Sequence, residues 1–430
     1  MSEDKSAYVT LNLRKGANET EIKKAYVEMV RQYDPEQHTD MFMKIQDAYE
    51  RLRNPVKRAH EDVFNFNYVS GDFHFTPEEK VEDGLPELND RIMKMVEQVK
   101  AAPADPEKRT GLILELMKRS YRHAMKKLWT EAIKDWVAVT QVDPTHQRAK
   151  NNLLFSYLYL GYYYAVHDLL EEAIDLWEKA LRMDPDNIPL IHNLALSTDR
   201  LPDPEKSQKY WAETVRRWKL LLDQTPDDEY LKNCIIEVHK HHGGRALSGA
   251  QTSETKQEAI EQYREILKFD PSDFDAQFNI ANALMEEAKF DEAVEQLKKL
   301  ALQHPKNLEI VNLLGWAYLN AGKFEMAFST WRRGLARDPK NYTIRTSVIS
   351  ARMNVGKKLK EAGHFTQALV HFKELHRIVP NEWEVHFELG DTLLRRGDKR
   401  NALISFQKVL ELDPKNKVAR KAVSDIRMRS

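Results

Sequence analysis

Residues 308–341, LEIVNLLGWAYLNAGKFEMAFSTWRRGLARDPKN, set a pattern that returns through most of the 430-residue chain. Prolines stand at Pro144, Pro185, Pro226, Pro271, Pro305, Pro339, Pro380 and Pro414, in steps of 41, 41, 45, 34, 34, 41 and 34. Twelve residues before each is a small side chain: Ala132, Ala173, Thr214, Ala259, Ala293, Ala327, Ala368 and Ala402. Eight before each is a bulky one: Trp136, Trp177, Trp218, Tyr263, Leu297, Trp331, Phe372 and Phe406. The small residue lets two antiparallel helices approach, the bulky one fills the gap to the next copy, and proline marks the exit turn. Eight registered copies define an internal repeat. One helix pair cannot bury its own apolar face, so the copies must stack on a continuous core.

This pattern resembles the tetratricopeptide repeat over residues 109–416. The resemblance implies an all-α, helical-hairpin solenoid, a right-handed superhelix of eight repeats that binds another protein. The second and seventh copies carry seven extra residues ahead of the first helix, with Gly161–Ala173 and Gly356–Ala368 keeping their spacing. Seven residues are about two turns, so those helices should be longer by ~10 Å. The third copy has its insertion between helices, at 201–204. The fourth has one around Gly243-Gly244 and 248–253 that reads as a loop. Residues 417–430 read as a basic C-terminal capping helix.

Residues 1–66 are of another kind. Glu19 to Gln32 carries Ile22, Ala25, Tyr26, Met29 and Val30 on one helical stripe, and a second helix begins at Phe42. Tyr8-x-x-Leu11-x-Leu13, Ile22-Lys-Lys-Ala-Tyr26, Phe42-x-x-Ile45-x-x-Ala48-Tyr49 and Lys57-Arg58-Ala59 resemble the J-domain, which docks on DnaK-type chaperones. Members that stimulate the chaperone ATPase carry His-Pro-Asp in the loop. This chain has Asp34-Pro35-Glu36 there, and Asp cannot offer an imidazole donor. Lys23, Lys24 and Arg31 keep a basic helix face, so these six residues form the candidate J-like docking surface. Residues 67–108 read as an acidic linker. A helix is expected in it from about Pro86 to Ala102, on the stripe Leu88, Ile92, Met95, Val96 and Val99.

Lys+Arg 66 against Asp+Glu 67 makes the chain nearly neutral. The charge is uneven: residues 308–430 hold 23 basic and 13 acidic side chains, a net of +10, which leaves −11 for residues 1–307. Aromatic interleaving of the RNA-binding kind is absent, so nucleic acid is not the expected partner. The single cysteine, Cys234, fits a reducing compartment. No stretch is long and apolar enough for a membrane span, and the opening residues hold no apolar signal core. A cytoplasmic location is expected.

Repeat ligands of this family lie along the concave face of the first helices. Helical spacing puts on that face the candidate groove residues Tyr121, Leu158, Tyr162, Phe278, Asn282, Asn312, Trp316, Lys357, Phe387 and Asp391. The lysine–asparagine clamp for acidic C-termini is not supplied by any three consecutive copies. Amides at Asn282 and Asn312 can pair with the backbone of an extended peptide, and Asn279 with Asn282 resembles the asparagine ladder of superhelical members. Of the five tyrosines Tyr157, Tyr159, Tyr162, Tyr163 and Tyr164, some must be exposed or covered, because one helix cannot turn all of them inward. Cys234, His239, His241 and His242 lack metal-ligand spacing, so neither a metal nor a cofactor is expected. No nucleophile elbow or phosphate loop is present, and no enzymatic activity is expected. The expected function is a non-enzymatic scaffold that binds a protein or extended peptide in the groove, with the J-like unit as a second docking module. The alternative is a co-chaperone of a DnaK-type chaperone whose repeats select clients.

Overall fold

The computed structural model describes residues 7–13, 15, 17–68, 71–249 and 252–428, and among these it holds 22 helices and no strand. The chain divides into two compact units, Met1–His241 and His242–Ser430.

Unit 1 begins with α1 (Ala7–Thr10), α2 (Glu19–Gln32), α3 (Thr39–Arg53) and α4 (Pro55–Val63). Asn18 starts α2 with a reciprocal capping box to Glu21, and Asn54 caps α4 with Pro55 in its first turn. Tyr8, Leu11, Ile22, Ile45, Ala48 and Leu52 form the small core between these helices, and Tyr26 stacks on Tyr49 at 4.1 Å.

After a non-helical stretch come α5 (Leu85–Ala101), α6 (Pro106–Met125), α7 (Trp129–Val142), α8 (Gln147–Val166), α9 (Leu170–Met183), α10 (Ile188–Asp199), α11 (Pro204–Gln224) and α12 (Glu229–Ser248). The Leu88/Ile92 stripe is buried in α5. Helix α5 lies against α6, where Arg91 Nε donates to Glu115 at 2.6 Å.

Unit 2 continues from the end of α12 with α13 (Ser253–Phe269), α14 (Phe274–Glu286), α15 (Phe290–Gln303), α16 (Leu308–Asn320), α17 (Phe324–Arg337), α18 (Tyr342–Glu361), α19 (Phe365–Ile378), α20 (Trp383–Arg395), α21 (Lys399–Leu412) and α22 (Lys417–Met428). Helix α22 buries Ala419, Val423 and Ile426 against the last hairpin.

The registered residues explain the hairpins. Trp136, Trp177, Trp331, Phe372, Ala132, Ala173, Ala327 and Ala368 are fully buried. In four hairpins a first-helix glycine lies directly on the bulky ring sixteen residues later: Gly161 on Trp177, Gly315 on Trp331, Gly356 on Phe372 and Gly390 on Phe406. Helices α8 and α18 have 20 residues against 13 in α14, α16 and α20, the seven-residue lengthening expected from the insertions.

Two local expectations are corrected. The insertion at 201–204 does not stay between helices. Pro204 takes the first turn of α11 and Asp203 caps it, so α11 runs 21 residues where α9 runs 14. Gly243-Gly244 is not a loop either, because α12 passes through it. The bare Cα of Gly243 lies against the Tyr263 ring of α13, so this glycine serves packing rather than a turn. Residues 250 and 251 of the expected loop lie outside the described residues.

A Cβ on Gly315 would overlap the Trp331 indole, and that ring is fully buried with no room to retreat. Gly315→Ala should therefore lower the stability of unit 2 by about 1–3 kcal/mol, the usual cost of overpacking. Urea denaturation checks this, and an unchanged midpoint would contradict it.

Candidate functional site: a groove filled by the chain itself

The non-helical stretch after α4 lies in the groove formed by α6, α8 and α10. It runs backwards along the repeats, with residues 66–68 against α8, α9 and α10 and residues 73–75 against α6, α7 and α8. Two asparagines hold its main chain. Asn152 of α8 accepts the His74 N–H at 2.8 Å and donates its amide to the His74 carbonyl at 3.0 Å. Asn193 of α10 does the same for Asn67, accepting its N–H at 2.7 Å and donating to its carbonyl at 2.9 Å. Both asparagines are essentially fully buried. Main-chain groups taken from water without partners would cost about 1–3 kcal/mol each, and these paired amides remove that cost.

Aromatic contacts fill the rest. Phe66 lies 5.7 Å from Trp177, and Tyr68 meets Tyr162 edge-on at 5.2 Å. Phe73 lies parallel to Trp129 and Trp136 at 5.2 and 5.5 Å, and Phe75 meets Tyr121 edge-on at 5.1 Å. Glu79, almost fully buried, pairs with Arg148 of α8 at 2.8 Å.

The J-like helices dock next to this stretch. Tyr230 of α12 donates to Asp62 at 2.6 Å, Tyr8 donates to the same carboxylate at 3.0 Å, and Arg58 lies over the Tyr230 ring. His60 meets Glu237 at 2.7 Å. Lys15 donates to the carbonyls of Asp62 and Asn65, beside a cavity of about 100 Å³ lined by Asp62, His192, Trp218, Tyr230 and Cys234. Burial pushes the Lys15 ammonium down to about 8 and the Cys234 thiol up to about 12. His192 is buried at the junction. Its Nε2–H donates to the Val63 carbonyl at 2.8 Å, so Nδ1 is the acceptor, facing the Asn67 amide nitrogen at 2.6 Å. Burial holds its pKa well below the usual imidazole value.

The expected groove residues fall into two groups. In unit 1, Tyr121 and Tyr162 meet Phe75 and Tyr68, while Leu158 is buried. Within the tyrosine cluster Tyr157 is also buried, Tyr159 packs on Trp129, and Tyr163 is exposed. In unit 2, Phe278 stacks on Phe274, and Phe387 meets Phe406 edge-on. Asn312 accepts from the Trp331 indole at 3.1 Å, and Trp316 donates to Ser347 at 3.0 Å. Asp391 accepts from Lys360 at 2.7 Å, and Lys357 faces Glu388 at 3.6 Å. Burial alone would lower the pKa of Lys360, but its bonds to Asp391 and Glu388 outweigh that and raise it. Asn279 and Asn282 make no side-chain hydrogen bond among the described residues. Lys23, Lys24, Arg31, Asp34, Pro35 and Glu36 are all exposed, and the Asp34 carboxylate accepts only the Glu36 N–H at 2.7 Å.

Sequence reasoning missed Asn152, Asn193, Phe73, Phe75 and Arg148. A signal for the asparagines exists: each stands eight residues after a repeat proline, Pro144 and Pro185, and Asn279 stands eight after Pro271.

Residues 6–62 match the DnaJ domain family, and residues 257–316 and 383–416 match tetratricopeptide repeat families. The chain thus carries an N-terminal DnaJ domain followed by tetratricopeptide repeats. Among curated relatives, the chaperone protein DnaJ of Opitutus terrae is 44% identical over 63 residues, 13% of this chain and 16% of that protein. DnaJ homolog 1, mitochondrial, of Schizosaccharomyces pombe is 32% identical over 98 residues, 19% of each. The chain therefore spans less than a fifth of the length of these relatives. Similar solved structures include MamA (19% identity, TM-score 0.32, 42% of this chain and 93% of that one). Another is YrrB, described as a TPR protein with an unusual peptide-binding site (18% identity, TM-score 0.30, 48% and 96%). No helix among the described residues is long and apolar enough to cross a membrane.

His192 gives the docked arrangement a pH dependence. Its folded pKa lies below the unfolded value of 6.5, so the unfolded state binds the extra proton first. The stabilisation is complete above about pH 6.5 and falls below it, by at most about 1.4 kcal/mol per pH unit. Lys15 stays protonated in both states through this window and adds no slope. Thermal unfolding of unit 1 between pH 7 and 5 should be steeper for the wild type than for His192→Gln. Parallel profiles would exclude this role.

Proposed function

We propose that this protein is a non-enzymatic interaction scaffold whose repeats grip extended peptides by their main chain, with the DnaJ domain as a second docking module. The observation that carries the reading is the pair of amide clamps, Asn152 on His74 and Asn193 on Asn67, by which the repeats already hold a non-helical segment. Unit 2 carries the same element. Asn279 repeats the register of the two clamps, and Asn282 lies one turn away. The proposed groove continues through Phe278, Asn312, Trp316, Lys357, Phe387 and Asp391, where aromatic rings supply contact area at low entropy cost. Lys357 and Asp391 belong to the ion-pair cluster around Lys360, so they would orient a ligand rather than supply a free charge.

Peptides selected from a random library on the full chain test this. Asn279→Ala should weaken their binding by about five- to tenfold, the loss of one two-bond amide contact. Selected peptides that are indifferent to Asn279, Asn282 and Phe387 substitutions would sink the proposal.

A second reading, co-chaperone activity, draws on the exposure of Lys23, Lys24, Arg31 and the Asp34-Pro35-Glu36 loop, none of which is used in docking on the repeats. Under the scaffold reading the chain stimulates a DnaK-type ATPase little, because Asp34 replaces the imidazole donor. Asp34→His should then raise stimulation at least several-fold if the rest of the surface is competent. Strong stimulation by the wild type would favour the co-chaperone reading instead.

A further inference from the structure

The segment in the unit 1 groove is built like a ligand rather than like core. Between Gly71 and Thr76 no residue is buried, whereas the rings and amides that hold it, Trp136 and Asn152, are completely buried. Phe73 and Phe75 are half-buried and sit on Trp129, Trp136 and Tyr121. His74, between them, is exposed and is held only through its main chain, by Asn152. Four residues beyond Phe75, the Glu79 carboxylate reaches Arg148. Apart from Gly71, whose bare backbone lies on the Phe155 ring, these contacts read three things: an aromatic ring at alternate positions, the main chain between them, or a carboxylate beyond a turn.

We propose that the groove of the first repeats is a second peptide site, selective for a partner segment of the form Phe-x-Phe-x-x-x-Glu, extended through the two phenylalanines and turned ahead of the glutamate, as residues 76–79 are here. Residues 71–79 hold this site closed as a resident ligand. The tether gives the resident segment a high effective concentration, so a competing segment binds only when the resident one is weakened or outnumbered. The inference rests on the reading that the repeats take extended peptides. Its test falls on Asn152 in unit 1 while that reading is tested on Asn279 in unit 2, so either can fail alone.

The probe is a fluorescein-labelled peptide with the sequence of residues 71–82, GDFHFTPEEKVE, titrated against full-length protein and followed by anisotropy. The full chain carrying Phe73→Ala and Phe75→Ala should bind it at least tenfold more tightly than the wild type. Adding Asn152→Ala to that variant, or replacing the glutamate of the probe that corresponds to Glu79 by alanine, should weaken binding at least fivefold. A scrambled peptide should not bind. Helix content by circular dichroism confirms that the variant is folded. If the double variant loses helix, the single Phe75→Ala, which keeps Phe73 on its tryptophans, is measured in its place. A folded variant that ignores the peptide, or that binds the scrambled sequence equally well, overturns the proposal and makes residues 71–79 a structural strap.

Discussion

The close contact between a first-helix glycine and a buried ring sixteen residues later underlies the repeat architecture. With no side chain at Gly161 or Gly315, the indoles of Trp177 and Trp331 reach the backbone of the neighbouring helix. Both indoles then use that position to bond the first helix, Trp177 to the Leu158 carbonyl and Trp331 to Asn312, each at 3.1–3.3 Å. A buried indole N–H needs such a partner. These two hairpins are thus locked at short range, and their outward-turned residues are left for the groove.

What the groove does with its polar residues differs between the units. In unit 1 the buried asparagines face a segment of the chain itself, and their amides are satisfied by its main chain. In unit 2 two of the corresponding positions are satisfied internally. Ser347, eight residues after Pro339, accepts from Trp316, and Glu388, eight after Pro380, joins Lys360. Asn279 keeps the clamp chemistry without a partner among the described residues. A groove built this way is distinguished by a few amides on its face rather than by its overall charge.

The solenoid was legible in the sequence because its signals are local. Proline ends a helix, alanine permits approach, and a bulky ring fills the gap, each acting through neighbours a fixed distance away. The DnaJ domain was legible for the same reason. The occupied groove was not, because its contacts join residues far apart in sequence: Asn67 with Asn193, His74 with Asn152, and His60 with Glu237. Phe73 and Phe75 stand in a run rich in Gly, Asp and Pro that reads as a linker. The Gly243-Gly244 pair misled for a related reason. Glycine signals either a turn or a close approach, and only the Tyr263 ring distinguishes them.

Those distant contacts change how unit 1 comes apart. A stack of repeats behaves as a one-dimensional chain, in which each copy senses only its neighbours and the ends fray first. The strap from α4 to α5 breaks that rule by tying the first three copies to each other and to the DnaJ domain. Residues 177 positions apart, His60 and Glu237, share one contact. Loss of one copy there forfeits contacts made by all, so the N-terminal block should open as a single cooperative unit and form slowly, while the later copies form and open one by one.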